Sequence, residues 1–396
     1  MLVALLFATD DADDSPATLA ATLPFGAATL IEFQARLAIS AGASQLIVVV
    51  GRMTPELLGA VNRIMKRGAA VDVVRSASEA CEKLHPLARV LVMADGLVST
   101  EGVVSAMAGE GGDALLVTSD ANALEGLERV GADAIWAGIA RLSVRRVAEV
   151  ANLPNDYDFA STLLRVAAQG GAARVELSAG PARGGHGVEH SAVRLRQRSE
   201  ALLAGHVSSR PAWFDRYLVA PLARRSLPGI VDRGISADAL AAAATGMALL
   251  GLAAIGYGWQ GWGPALGLGM VVAACFLLAM GMTLSWMRED KLRSRVQALI
   301  VAGAAALAVV ALGVRDSIAE GTGSSALLAL TTAGLGLLAD RAAAAQRRRW
   351  WASAPSYPLL LVPFAATGHV FAGLCVVAGY AAITLVSAVE LLRKSA

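Results

Sequence analysis

The first residues able to do chemistry are acids. Asp10, Asp11, Asp13 and Asp14 crowd the loop after the apolar run 2–9, LVALLFAT. Asp95 follows a second apolar run, ARVLVMA, and precedes Gly96. A carboxylate at the end of a buried strand can hold Mg²⁺ beside a phosphate. It can equally cap a turn. Asp95 is open to both readings. Glu289 and Asp290 are the carboxylates nearest the stretch 283–310, and they stand among Arg288, Lys291, Arg293 and Arg295. They read as metal ligands or as charged loop residues. His186 and His190 lie four apart in GGHGVEH without an acid or Cys arrangement beside them, which favours a solvated linker over a metal site. Cys81, Cys275 and Cys375 are far apart and in no metal spacing, so neither a disulfide framework nor a zinc site is expected.

These residues need elements to position them. Continuous apolar runs at 2–9, 45–51, 71–75, 88–95 and 113–119 predict strands, and amphipathic stretches at 30–41 and 55–66 predict helices between them. Such alternation implies an α/β domain with a mostly parallel sheet covered on both faces. Ligands of such sheets bind beyond the carboxyl ends of the strands. The loop after Thr9 and the Asp95–Gly96 turn therefore share one rim. The start of the chain reads as a first strand and not as a signal peptide, since it has no basic n-region. The stretch 178–187, SAGPARGGHG, reads as a flexible boundary.

The composition changes after it. The chain has 396 residues, 17% charged, with mean hydropathy +0.56, against roughly a quarter charged in a soluble protein. Of the 32 acidic and 34 basic residues, 25 and 23 precede residue 237. This excludes a wholly soluble chain and a disordered one. Apolar segments at 237–257, 262–286, 296–314, 324–339, 357–367 and 369–391 predict a bundle of about six membrane spans. Basic residues cluster in alternate connections, which puts both termini on the cytoplasmic side. Residues 211–228, PAWFDRYLVAPLARRSLP, predict an interfacial helix in two pieces, interrupted at Pro221. Trp213, Phe214, Tyr217 and Leu218 would form its apolar face, with Arg216, Arg224 and Arg225 available to anionic headgroups. Trp350 and Trp351, after Arg347–Arg349, read as an interfacial anchor in which Arg348 and Trp350 meet the headgroups.

Residues 23–51, LPFGAATLIEFQARLAISAGASQLIVVVG, followed by VLVMADGLV at 90–98, resemble the sugar-phosphate nucleotidyltransferases of the GT-A type. WFDRYLVAPLARR, GISADAL at 234–240 and RRRWWASAPSYPLLL resemble the CDP-alcohol phosphatidyltransferases. In this order the two halves look like bacterial bifunctional enzymes that form CDP-inositol and then use it. The resemblance implies a cytoplasmic nucleotidyltransferase-like domain over 1–180, a linker and interfacial helix over 181–233, and a membrane domain over 234–396 in the inner membrane. It implies Mg²⁺ or Mn²⁺ at Asp95 and at a two-metal site in the bundle. The motifs depart from both families. No glycine precedes Gly26, and Ala20 stands where the loop lysine would be. The phosphatidyltransferase signature D-G-x2-A-R-x8-G-x3-D-x3-D has no Asp-Gly or Ala-Arg counterpart in 283–310, which leaves Glu289 and Asp290 as its only acids.

Three readings stay open: a phosphoalcohol transferase of phospholipid head-group synthesis, a non-catalytic relative that binds lipid or a partner enzyme, and an unrelated transporter or scaffold. The expected partners are membrane lipids with anionic headgroups, CTP or a CDP-linked alcohol, and a second copy of the chain. The net charge of +2 gives no basis for nucleic-acid binding.

Overall fold

The computed structural model describes residues 1–26, 28–66, 68–118, 128–131, 134–154, 157–177, 185–208, 212–233, 235–257, 261–286, 291–342 and 348–395. It divides into two compact units, Met1–Leu202 and Leu203–Ala396.

In the first unit the predicted strands and helices form. They are β1 (Leu2–Ala8), the short pair β2 (Asp11–Ala12) and β3 (Ser15–Leu19), the pair β4 (Pro24–Phe25) and β5 (Ala28–Thr29), α1 (Leu30–Ser40), β6 (Ala43–Val50), α2 (Pro55–Met65), β7 (Ala70–Val74), α3 (Ala77–Lys83), β8 (Arg89–Met93), β9 (Leu97–Val98), α4 (Glu101–Ala108) and β10 (Ala114–Thr118). Then come β11 (Ile135–Ser143), α5 (Val144–Ala151), α6 (Phe159–Gln169), β12 (Ala173–Glu176) and β13 (Gly187–Val188). One seven-stranded sheet has the order β12-β10-β11-β8-β1-β6-β7. β8, β1, β6 and β7 run parallel, while β11 is antiparallel to both β8 and β10. Every residue of β1 is buried, as its unbroken apolar run requires. Each fully buried side chain such as Leu5, Leu6 or Phe7 contributes roughly 1.5–3 kcal/mol.

Chain order places β6 on one side of β1 and β8 on the other. The crevice between their carboxyl ends is the topological switch point, where open α/β sheets take ligands. Helix α1 flanks it. Its start is fixed by the Thr29 amide, which donates to Glu32 Oε2 at 3.0 Å. Arg63 of α2 donates to the same carboxylate at 3.1 and 3.0 Å, which ties α2 to α1.

The boundary region differs from its reading as a linker. Residues 185–202, assigned by the sequence to the linker, belong to the first unit. Gly187 and Val188 pair antiparallel with Val98 and Leu97. His186 is buried, and a helix starts at Ala192 and runs to Ser208.

The second unit is helical throughout its regular structure. The sequence predicts six spans; among the described residues four helices are long and apolar enough: Ala237–Gly256, Gly263–Ser285, Leu299–Glu320 and Val370–Lys394. Helix Ser324–Ala342 forms, but Ser324, Ser325, Thr331, Thr332, Asp340 and Arg341 dilute its hydrophobicity. Helix Ser356–Ala366 has 11 residues, about 16 Å of rise against a hydrocarbon core of ~30 Å. The third span also carries charge beyond Val314, where the apolar run predicts a loop. Arg315 donates to Ile255 O at 2.8 Å near the end of the first span, and Ser325 Oγ donates to Asp316 Oδ2 at 2.6 Å. A ionisable pair at a span's end is held by backbone and hydroxyl partners from its neighbours.

Pro221 does not break the segment before the first span. A π-helical turn at Asp215–Val219 leads directly into helix Ala220–Asp232. The wider turn accommodates a residue that lacks an amide hydrogen and would crowd an α-turn.

Candidate functional site

The rim at the switch point is organised by Asp95. β8 delivers it to the carboxyl edge of the sheet, where it is 6% exposed. The Thr9 and Asp10 amides, at the end of β1, donate to its Oδ2 at 2.7 and 2.9 Å. The Gly96 amide donates to Oδ1 at 2.8 Å. The carboxylate thus stitches the end of β1 to the turn after β8. Burial pushes the Asp95 carboxyl up to about 7 against the pull of these amides, and the Asp10 charge beside it adds to the rise. Gly96 is required twice. Its φ is +71°, and a Cβ would lie 2.7 Å from His190 Nε2.

The expected sharing of one rim by Thr9 and Asp95 therefore holds, through direct hydrogen bonds. What the sequence reading missed is the strap laid over it. The Glu189 amide donates to Gly96 O at 2.9 Å, and the Asp13 amide to His190 O at 3.0 Å. His190 Nε2 stands 3.5 Å from Asp10 Oδ2. Asp14 Oδ2 accepts from Ser191 Oγ at 2.9 Å and from the Ala192 amide at 2.7 Å. Asp14 thereby supplies the capping carboxylate for the helix that begins at Ala192. Those two donors hold its carboxyl below the usual carboxylate range. Arg194 pairs with Asp13 at 3.0 Å and with Glu189 at 3.2 Å, and Arg198 pairs with Glu189 at 2.6 Å. From the other side Arg52 reaches Asp11 at 2.6 Å.

His186 anchors one end of the strap. Its Nε2 lies 2.5 Å from Ala137 O, which can only accept, so that nitrogen carries the proton. Nδ1 then accepts the Ser99 hydroxyl at 2.9 Å. Burial holds this imidazole below its ordinary pKa, so it stays neutral. His186 is a core hydrogen-bonding residue and not a solvated linker histidine.

A divalent cation, which the family resemblance implies, does not fit these donors. Two amides occupy Asp95 Oδ2 and a third occupies Oδ1. Among the described residues no three His, Cys, Asp or Glu side chains come together as a metal-holding group. Glu289 and Asp290 lie outside the described residues.

The lipid-facing candidates fall at two places in the second unit. Trp213 is half-buried, with its ring 6.3 Å from that of Phe214. The expected apolar face divides: Phe214 is 2% exposed, whereas Tyr217 is 65% exposed beside exposed Arg216. Arg225 is exposed, and the side chain of Arg224 lies outside the described ones. Arg348 and Trp350 are exposed. Trp351, expected to anchor beside Trp350, is fully buried instead and donates to Ser387 Oγ at 3.2 Å.

No family profile matches the chain, and no curated protein matches it. Among solved structures, the crystal structure of a UDP-glucose pyrophosphorylase complexed with UDP-glucose is similar at 12% identity, with a TM-score of 0.38 over 51% of this chain and 98% of that one.

Proposed function

We propose that this chain is a multi-pass membrane protein that works around phospholipid head-group synthesis as a non-catalytic relative of the nucleotidyltransferase and CDP-alcohol phosphatidyltransferase enzymes. One observation carries the reading. At the switch point, the Asp95 carboxylate is taken up by three backbone amides, and the acids around it are paired with the chain's own residues. Among the described residues no cationic or amide-rich cradle is left there for a triphosphate. The second unit supports a lipid setting through outward-facing Leu249, Leu250, Leu299, Leu307, Ile383 and Val386, each at least half exposed. Arg348 and Trp350 fit contact with anionic headgroups.

The test is an assay of the purified full chain with a CDP-linked alcohol, an acceptor and Mg²⁺ or Mn²⁺, alongside heat stability with CTP. No turnover and no stabilisation by CTP are expected. Metal-dependent transfer that is lost in Glu289→Ala or Asp290→Ala would overturn the reading and restore a transferase.

The same proposal fixes orientation. Four helices qualify as spans among the described residues, and on this reading Ser324–Ala342 and Ser356–Ala366 add one return and one outward crossing between the third and fourth, so the number stays even and the chain ends on the side on which it enters. Ala342 and Leu391 both pack against the Trp351–Ala388 cluster, so Arg341 and Arg348 gather at the end that carries Arg393 and Lys394. Basic residues at that end make it the cytoplasmic one. Reporter fusions after Ala396 and within 258–261 should report opposite sides of the membrane. Both on one side would refute this topology.

A further inference from the structure

We infer that the segment His186–Arg198 is a releasable strap, opening separately from the sheet and coupling access to the Asp95 rim to the position of the helix that leads towards the membrane unit. The strap is fastened at intervals. His186 and Leu195, 4% and 0% exposed, plug its two ends into the domain. Between them lie a two-residue ladder to Val98 and Leu97, the cap bonds to Asp14 and the Arg194 and Arg198 ion pairs. Arg194 and Asp13 are each about half exposed, and ion pairs in such surroundings contribute only about 0–1 kcal/mol. β1, by contrast, is buried throughout and paired on both edges. The strap therefore belongs to the less stable part of the domain, whose opening requires less free energy than unfolding of the sheet.

The coupling follows from where the fastenings sit. Asp13 and Asp14 form the turn between β2 and β3, and the Thr9 and Asp10 amides that lead from β1 into β2 are held by Asp95. Asp14 caps the helix Ala192–Ser208, and that helix continues past Leu202, where the first unit ends. Freeing the helix start breaks the cap bonds and moves Arg194 away from Asp13. It also withdraws His190, which fills the space over Gly96. Anything that engages the exposed rim must then favour the freed helix, and anything that holds the helix must favour a closed rim, by the reciprocity of linked equilibria. The inference concerns opening of the strap and stands whether or not the chain transfers phosphoalcohol, so its test and that of the proposed function fail independently.

Hydrogen exchange on the full chain in detergent tests it. In the unmodified protein, the peptide covering 187–193 should exchange at least about 100-fold faster than the peptide covering 2–8, as a sub-global opening requires. Arg194→Glu places an acid against Asp13 and Glu189, and should raise exchange of the first peptide roughly tenfold while leaving the second unchanged. In a background of Cys81→Ser and Cys375→Ser, a thiol placed by Ser99→Cys, beneath His186, should label faster once Arg194→Glu is added. Exchange of both peptides at one common rate would show that the segment is part of the cooperative core, and would overturn the inference. So would unchanged labelling at Ser99→Cys. If Arg194→Glu fails to fold, the comparison of the two peptides in the unmodified protein still decides.

Discussion

Asp95→Ala should lower the unfolding midpoint of the α/β domain by roughly 10 °C or more. Three amide hydrogens, from Thr9, Asp10 and Gly96, lose their acceptor at a site that is 6% exposed. A buried donor left unpaired costs about 1–3 kcal/mol, and a unit of this size shifts about 2–4 °C per kcal/mol. Asp95→Asn should fall between the two. Its carbonyl can still accept from Thr9 and Asp10, but its NH₂ would face the Gly96 amide. The two substitutions also separate structure from metal binding. A ligand role predicts lost cation response with the midpoint preserved; the hydrogen-bonding role predicts the reverse.

The same carboxyl sets a pH dependence. Its folded pKa is raised to about 7 from the ordinary 3.8. Its contribution to stability is therefore complete below about pH 4 and is lost as pH rises through about 7, because the folded state holds the proton more tightly than the unfolded one. Asp95→Asn cannot titrate and should flatten that decline. Midpoints of the two proteins, followed by circular dichroism between pH 4 and 8, check it. A decline of equal slope in both would assign the dependence to another group.

The rim was legible because its cause is topological. A strand that is apolar throughout, such as LVALLFA, has to sit at the centre of a covered sheet, and the residue after it must emerge at the carboxyl edge beside the turn after β8. The strap was not legible, because its partners lie far apart in sequence and leave no local signature. Asp14 and Ser191 are separated by 177 positions. The glycines of GGHG suggested slack. In the fold, Gly185 and Gly187 sit where a Cβ would fall 2.9 Å from Thr100 Cγ2 and 2.8 Å from the Arg198 guanidinium, so they permit close approach. In the second unit, neighbouring residues received opposite environments. Trp350 is exposed and Trp351 buried because the turn there aims one ring outward and the other at Ser387 and Ala388. No composition window distinguishes two adjacent tryptophans. The charges of Arg315 and Asp316 predict the end of the span and a loop. A backbone carbonyl and a serine hydroxyl instead let the helix carry them to Glu320.

Gly267→Ile should disrupt the first helical hairpin of the bundle, whereas Gly269→Ile, two residues away in the same helix, should be tolerated. Helices Ala237–Gly256 and Gly263–Trp286 cross with glycine against glycine. A Cβ on Gly267 would lie 2.6 Å from Gly251 O, and one on Gly251 would lie 2.7 Å from Gly267 O. Lipid supplies no hydrophobic drive to bring helices together, so close packing has to do it, and small residues are what allow the backbones to approach. An isoleucine at 267 would force the axes apart and strip contacts from Ile255 and Val271, both fully buried. Overpacking costs about 1–3 kcal/mol even where side chains can yield; here the obstacle is backbone, which yields less. Gly269 has nothing within 4 Å of an added Cβ, so a side chain there does not drive into a neighbouring backbone. The readout is the yield and thermal midpoint of folded, monodisperse protein in detergent. Gly267→Ile should lose most of the folded yield, with Gly269→Ile close to the unmodified chain. Equal losses would mean that helix propensity or insertion governs the result. Equal tolerance would mean that the hairpin does not depend on this crossing.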